Sequence, residues 1–111
     1  NKEIIMSENW LKVLEVNELE NEEAKEITLE NGKKIALFNV NGNYYATDLL
    51  CTHEDASLCD GYIDGDTVEC PLHQGVFSIS TGKALESPAT IDLKTYKTKI
   101  VDEFVYVNFI D

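Results

Sequence analysis

Residues 51–73, CTHEDASLCDGYIDGDTVECPLH, contain all three cysteines and both histidines of the 111-residue chain. Two short sets stand out: Cys51-x-His53 and, after sixteen further residues, Cys70-x-x-His73. Each set offers one thiolate and one imidazole from a single loop. Thiolate suits zinc and iron–sulfur centres, whereas imidazole suits zinc, copper and iron. The two sets therefore predict a metal centre.

Two kinds of metal centre fit these four ligands. Both thiolates could bind one iron and both imidazoles the other iron of a 2Fe-2S cluster. The same ligands could instead hold a tetrahedral zinc ion in a zinc-stabilised binding module. The single-residue spacing of Cys51 and His53 is less usual for zinc, and no basic recognition helix follows the motif. Colour separates the alternatives, since a zinc protein is colourless and a 2Fe-2S protein is reddish brown.

The paired motif resembles the ligand motif of the Rieske iron–sulfur proteins. The surrounding sequence is similar to the small soluble Rieske ferredoxins of bacterial aromatic-ring-hydroxylating dioxygenase systems. The matching residues are Asp60-Gly61, Gly65-Asp66, the run from Cys70 to Gly75, Phe77, Thr81-Gly82 and Pro88. A lone Cys-x-x-His would be a weak signal, whereas the pair is specific.

The resemblance implies one Rieske-type 2Fe-2S cluster. Cys51 and Cys70 would bind the inner iron, and His53 and His73 would bind the outer iron near solvent. It also places Pro88 in a third loop that covers the cluster. Finally, it implies that the backbone of Gln74 and Gly75 approaches the cluster sulfurs, where hydrogen bonds tune the redox potential.

The function implied is soluble one-electron transfer from a flavin-dependent reductase to a terminal ring-hydroxylating oxygenase. Neutral imidazoles replace two thiolates, which eases reduction and gives a family range of roughly −150 to +300 mV. High-potential members carry an extra cysteine in each ligand loop, joined as a disulfide, and Ala56 and Leu72 stand at those positions here. We therefore expect a potential near the low end. The alternative is a Rieske small subunit of another oxidoreductase, such as nitrite reductase.

The residues outside the motif argue against catalysis by this chain. Both histidines are used by the cluster, so none remains for a mononuclear iron triad or a Ser-His pair. No Gly-rich dinucleotide fingerprint follows a strand. Cys59 is expected to be a small, half-buried filler. Glu54 and Asp55 are candidates for steering a basic partner, and simple solvation of the two carboxylates is the alternative.

Composition limits the partners. The chain has 21 acidic residues against nine lysines and a net charge of −12, so nucleic acid and membrane surfaces are not expected as partners. It lacks a run of ~20 apolar residues and a secretory signal, which predicts a cytoplasmic protein. We expect a monomer. Met6 opens MSENW like a normal start, which predicts that residues 1–5 are not native.

The elements that must position the ligands are short strands joined by tight turns. Asn31-Gly32 and Asn41-Gly42 are typical of two-residue hairpin turns, and Asp102 joins the last two strands. The expected strands are WLKVLEV (10–16), EITLE (26–30), KIALFNV (34–40), a strand beginning with YYAT (44–47), TIDLKTYKTKI (90–100) and EFVYVNF (103–109). The acidic run 17–25 is expected to be a solvated turn.

These elements predict an all-β fold with a single domain over residues 1–111. An antiparallel β-sandwich base is expected from residues 1–45 and 89–111, with a loop-rich cluster-binding insert at 46–88. Because the insert is rich in glycine, we expect it to be held by something other than regular strand ladders. Trp10 and the tyrosines at 44, 45, 62, 96 and 106 are expected to pack the strands.

Overall fold

The computed structural model describes residues 9–29, 32–50, 57–71, 75–86 and 91–108. Within these ranges the chain forms short strands and two 3₁₀ turns, at Val16–Glu18 and Leu58–Asp60, so the expected all-β fold class is confirmed. The strands are β1 (Trp10–Glu15), β2 (Glu23–Thr28), β3 (Lys34–Val40), β4 (Asn43–Asp48), β5 (Tyr62–Asp64), β6 (Thr67–Glu69), β7 (Val76–Ser78), β8 (Ala84–Glu86), β9 (Thr95–Tyr96), β10 (Thr98–Val101) and β11 (Phe104–Asn108).

The strands form three antiparallel sheets. The middle sheet has the order β2-β3-β4-β9, the outer sheet β1-β11-β10, and the insert sheet β5-β6-β7-β8. None of the helical turns in the described ranges has the length and apolar character that crossing a bilayer would require.

Strand β3 explains how the three sheets are layered. Side chains alternate between the two faces of a strand. Ile35 and Leu37 therefore lie in one core with Val105 of the outer sheet, while Phe38 lies in a second core with Phe77 of the insert sheet. The side chains of Ile35, Leu37, Val105 and Phe38 are 0% exposed. The middle sheet thus separates the outer sheet from the insert sheet.

The predicted hairpin turns are present where the structure describes them. Asn41 and Gly42 have φ angles of 54° and 87°, as a two-residue turn with two positive φ values requires. Asp102 and Glu103, with φ of 52° and 70°, make the corresponding turn between β10 and β11. In the other predicted turn Gly32 has φ of 91°, and Asn31 lies outside the described residues.

Two strand predictions need correction. Residues 23–25 belong to β2, not to a solvated turn, because they pair with β3 and Ala24 packs against the core. The strand expected at 90–100 begins only at Thr95 within the described residues, and it is broken at Lys97. Tyr96 ends β9 in the middle sheet, whereas Thr98 begins β10 in the outer sheet, so the chain crosses between two layers at this point.

The insert contains regular ladders, and the expectation that it lacks them is wrong. Its four strands have three residues each, and Val68 and Phe77 pair across β6 and β7 and are fully buried. Apolar side chains facing one core are enough to specify so short a sheet. Tyr62, expected to pack, is 68% exposed on the edge strand β5. The boundaries proposed for the base and the insert stay a prediction.

Candidate metal centre

The segment that contains Cys51 and His53 is held at both ends. Leu50 and Ser57 form an antiparallel bridge, and the backbone N–H of Leu58 donates a 2.8 Å hydrogen bond to the Leu49 carbonyl oxygen. Leu58 is fully buried in the core between the insert and middle sheets. The described residues on either side of this segment are therefore fixed on the core.

The segment that contains His73 is held by the hairpin of β6 and β7. Glu69 pairs with Val76 at the end of this ladder. Beyond that pair, the backbone N–H of Cys70 donates a 2.8 Å hydrogen bond to the Gly75 carbonyl oxygen. Cys70 is 1% exposed and belongs to the same core as Leu58. Cys70 and Gly75, which flank this segment, therefore lie next to each other at the end of the β6–β7 ladder.

A third segment, which contains Pro88, is held by contacts on either side of it. The Leu93 N–H donates a 2.7 Å hydrogen bond to the Gly82 carbonyl oxygen, and the Ala84 N–H donates one of 2.9 Å to Asp92 Oδ1. Gly82 has φ of 79°, and a Cβ at this position would collide with the Leu93 carbonyl oxygen. Glycine is required there for both reasons.

Of the four predicted ligands, the structure describes Cys70. The others, Cys51, His53 and His73, lie outside the described residues, as do the positions named with them, Glu54, Asp55, Ala56, Leu72, Gln74 and Pro88. Within the described ranges no group of three or more His, Cys, Asp or Glu side chains could hold a metal ion. The assignment of the ligand set is therefore taken up as a proposal below.

The donor that is described fits an iron–sulfur centre. Cys70 presents its sulfur inside an apolar core, and the hydrogen bond of its N–H fixes the backbone that carries it. A thiolate at the inner side of a cluster needs such shielding from water and a rigid backbone.

Cys59 contrasts with Cys70. It is half-buried, packs against the core, and its backbone N–H donates to the Ser57 hydroxyl oxygen. Burial raises the pKa of the Cys59 thiol to about 11. A group that stays a thiol at neutral pH is a poor nucleophile. The structure agrees with the expectation that Cys59 is a filler.

Asp66 has a positioning role that the sequence analysis did not assign. Its Oδ1 accepts a 2.8 Å hydrogen bond from the Ser80 N–H, and its Oδ2 accepts bonds from the Ser78 and Ser80 hydroxyls at 3.1 and 2.8 Å. These bonds tie the turn before β6 to the end of β7 and the residues that follow it. The Ser-x-Ser pattern that begins at the last residue of β7 is the sequence signal that could have revealed this role.

The family model for the Rieske [2Fe-2S] domain matches residues 9–97 of this chain. The chain belongs to the Rieske [2Fe-2S] domain family. This Rieske chain is 43% identical over 103 residues to the ferredoxin component of the naphthalene 1,2-dioxygenase system of Pseudomonas aeruginosa. That alignment covers 93% of this chain and 98% of the relative.

Solved structures agree with the sequence match. The ferredoxin of Sphingomonas yanoikuyae B1 superposes with a TM-score of 0.86 at 39% identity, covering 92% of this chain and 100% of the other. A ferredoxin in a structure titled as a complex of reduced oxygenase and oxidised ferredoxin in carbazole 1,9a-dioxygenase also gives a TM-score of 0.86. Its identity is 34%, and the match covers 90% of this chain and 93% of that one.

These matches confirm the expectation that the chain is a Rieske ferredoxin. The chain carries one Rieske-type 2Fe-2S cluster, which excludes the zinc-stabilised module. It is an electron carrier of the ferredoxin type and not a catalytic oxygenase.

Proposed function

We propose that this ferredoxin passes single electrons from a flavin-dependent reductase to a terminal ring-hydroxylating oxygenase. The observation that carries the proposal is the match, over nearly the full length of both chains, to a ferredoxin component of a naphthalene dioxygenase system. A ferredoxin of similar structure, found in a complex with the oxygenase of carbazole 1,9a-dioxygenase, supports the same acceptor. We place the protein in the cytoplasm, where a lone thiol such as Cys59 stays reduced.

We further propose Cys51, His53, Cys70 and His73 as the cluster ligands. They are the only histidines and two of the three cysteines in the sequence, and Cys59 lies outside both Cys/His motifs. When bound, the cluster accepts and releases one electron. Cys70 keeps its sulfur out of water, and backbone hydrogen bonds hold the described residues that flank the two ligand segments.

The redox potential is proposed to lie in the lower part of the Rieske range. Ala56 and Leu72 stand where a stabilising disulfide would need two cysteines, and the surrounding chain is acidic. Negative charge near a cluster opposes the gain of an electron. The described part of the insert has six carboxylates, Asp48, Asp60, Asp64, Asp66, Glu69 and Glu86, against one lysine, Lys83.

The acceptor can be tested by direct mixing. Chemically reduced ferredoxin is mixed anaerobically with the oxidised terminal oxygenase of a naphthalene dioxygenase system, and its reoxidation is followed by visible absorbance. We expect reoxidation by one electron per chain. A ferredoxin that stays reduced, while the oxygenase oxidises its own ferredoxin in a parallel sample, would refute the acceptor. Faster transfer to a nitrite reductase would favour the alternative subunit role.

A further inference from the structure

The outer sheet carries lysine and aromatic side chains on the face that points away from the core. Across this sheet Lys12 and Lys99 both lie opposite Tyr106, and Val101 lies opposite Phe104. The intervening residues of β11, Val105 and Val107, are fully buried against the middle sheet. We call the outward set the lysine–aromatic face, and it consists of Trp10, Lys12, Lys97, Lys99, Phe104 and Tyr106.

Two lysines of this face, Lys12 and Lys99, lie over its rings. The Nζ of Lys99 lies 4.3 Å from the ring centroid of Trp10 and 5.9 Å from that of Tyr106. The Nζ of Lys12 lies 4.4 Å from the centroid of Phe104. An ammonium group within about 6 Å of a ring is attracted by its π-electrons. The ammonium groups of Lys12 and Lys99 are therefore held in place on the sheet.

The lysines of this face form no ion pairs within the described part of the chain. Ion pairs there join Lys33 to Asp48 and Lys34 to Glu26. Lys12, Lys97 and Lys99 form none with any carboxylate of the described ranges. In a chain with 21 acidic residues and a net charge of −12, these three lysines outnumber the carboxylate that the strand pairing places on the same side, Glu15 opposite Phe104, and form a local positive region.

The position and shape of the face favour an extended ligand. A solvated sheet face normally carries polar side chains, but this one carries three aromatic rings, which are enriched in protein interfaces. At the Trp10 end it continues into a cleft of about 630 Å³ that is also lined by Tyr45 and Lys97. The cleft is also lined by Ile79 and Ser80, so its occupant would contact the chain that follows β7 as well as the outer sheet.

We propose that the lysine–aromatic face binds an extended acidic segment of a partner protein. Carboxylates of the segment pair with Lys12, Lys97 and Lys99, and its apolar side chains cover the rings and enter the cleft. The repulsion from the acidic remainder of the chain is screened beyond about 8 Å at an ionic strength of about 0.15 M, whereas contacts at the face are not. This inference concerns a second surface and does not depend on which redox partners the cluster serves.

Trp10 is the only tryptophan in the chain, so its fluorescence reports on this face. The holoprotein is titrated with a blocked peptide of alternating glutamate and leucine, and with a matched peptide of alternating glutamine and leucine. We expect a saturable change with the acidic peptide and none with the neutral one. In the double variant Lys12→Gln/Lys99→Gln the peptide concentration at half-saturation should rise on the order of fivefold. The effect is modest because exposed ion pairs are individually weak.

Lys83→Gln is the matched control, because Lys83 is exposed between β7 and β8 in the insert sheet. Its midpoint should equal that of the parent. Visible absorbance and unfolding curves check that each variant keeps its cluster and fold, and Phe104→Leu, which retains the lysines, should also weaken binding. An unchanged midpoint in the double variant, or equal binding of the neutral peptide, overturns the proposal. So does a fluorescence change that depends only on protein concentration, which would indicate a second copy of the chain.

Discussion

The backbone N–H of Cys70 lies 2.8 Å from the carbonyl oxygen of Gly75 and donates a hydrogen bond to it. This bond extends the β6–β7 hairpin by one step and joins the two ends of the segment that contains His73. It also holds the Cys70 side chain in the core, where it is 1% exposed. The packing of the insert sheet and the position of a proposed ligand are therefore determined by the same few residues.

Replacing Cys70 with serine should abolish the cluster or destabilise it severely. Serine removes a thiolate ligand and places a hydroxyl in an apolar core, where an unsatisfied polar group costs about 1–3 kcal/mol. Iron and acid-labile sulfide analysis of freshly purified protein measures the result. Cys59→Ser is the matched control and should retain full iron and sulfide. Loss of the cluster in both variants, or in neither, would contradict the ligand assignment.

Replacing His73 with cysteine should lower the redox potential if a cluster still forms. The change exchanges a neutral imidazole for a thiolate, and the added negative charge opposes reduction. A redox titration of the parent and the variant measures the difference. The parent itself should titrate below 0 mV, in the lower part of the roughly −150 to +300 mV range. Equal potentials in the two proteins would refute the charge argument.

Cys59 should be alkylated slowly near neutral pH and faster as the pH rises. Burial raises its pKa to about 11, and only the thiolate reacts. Between pH 8 and pH 10 the rate constant should rise roughly ninety-fold, against about tenfold or less for an exposed cysteine with a pKa of about 8.5. Mass spectrometry after timed exposure of the holoprotein to iodoacetamide gives the rate. A rise of tenfold or less would show that Cys59 is not buried as described.

The same shift affects stability in a direction that can be measured. Above pH 9 the unfolded state loses the Cys59 proton, whereas the folded state keeps it until about pH 11. The contribution of Cys59 to the free energy of unfolding is therefore fully present below pH 9 and falls between pH 9 and pH 11. Cys59→Ala should show a shallower fall over this interval in urea unfolding. An identical fall in both proteins would assign the effect to other groups.

Replacing Gly82 with alanine should destabilise the fold on the order of 2–4 kcal/mol, because it combines backbone strain with a collision in a packed region. The added Cβ would meet the Leu93 carbonyl oxygen, which lies beside the Leu93 N–H bond to Gly82. Gly65→Ala separates the two causes. Gly65 also has a positive φ, 61°, but its Cβ would meet nothing within 4 Å.

The Gly65 variant should therefore lose only about 1–2 kcal/mol, the strain of the left-handed conformation. Urea unfolding of both holoproteins measures the difference. Equal losses would mean that the approach of Gly82 to Leu93 is relaxed at little cost and does not fix the third segment.

The local features of this protein were determined by its sequence. The types and spacing of Cys51, His53, Cys70 and His73 limited the metal centre to a 2Fe-2S cluster or a zinc ion, and their resemblance to the Rieske motif favoured the cluster. Asn41-Gly42 and Asp102 identified their turns, because positive φ angles are tolerated by few residues. These signals depend on neighbouring residues alone, so they can be recognised before the chain is folded.

Only the tertiary structure decided which surfaces meet. The continuous apolar run of β3 became a strand buried on both faces once two other sheets packed against it, and the strand expected at 90–100 was divided at Lys97 to serve two of those sheets. Lys12, Lys99 and Trp10 came together on one face through the pairing of distant strands. Such contacts join residues far apart in the chain, so no local pattern of propensity or charge specifies them.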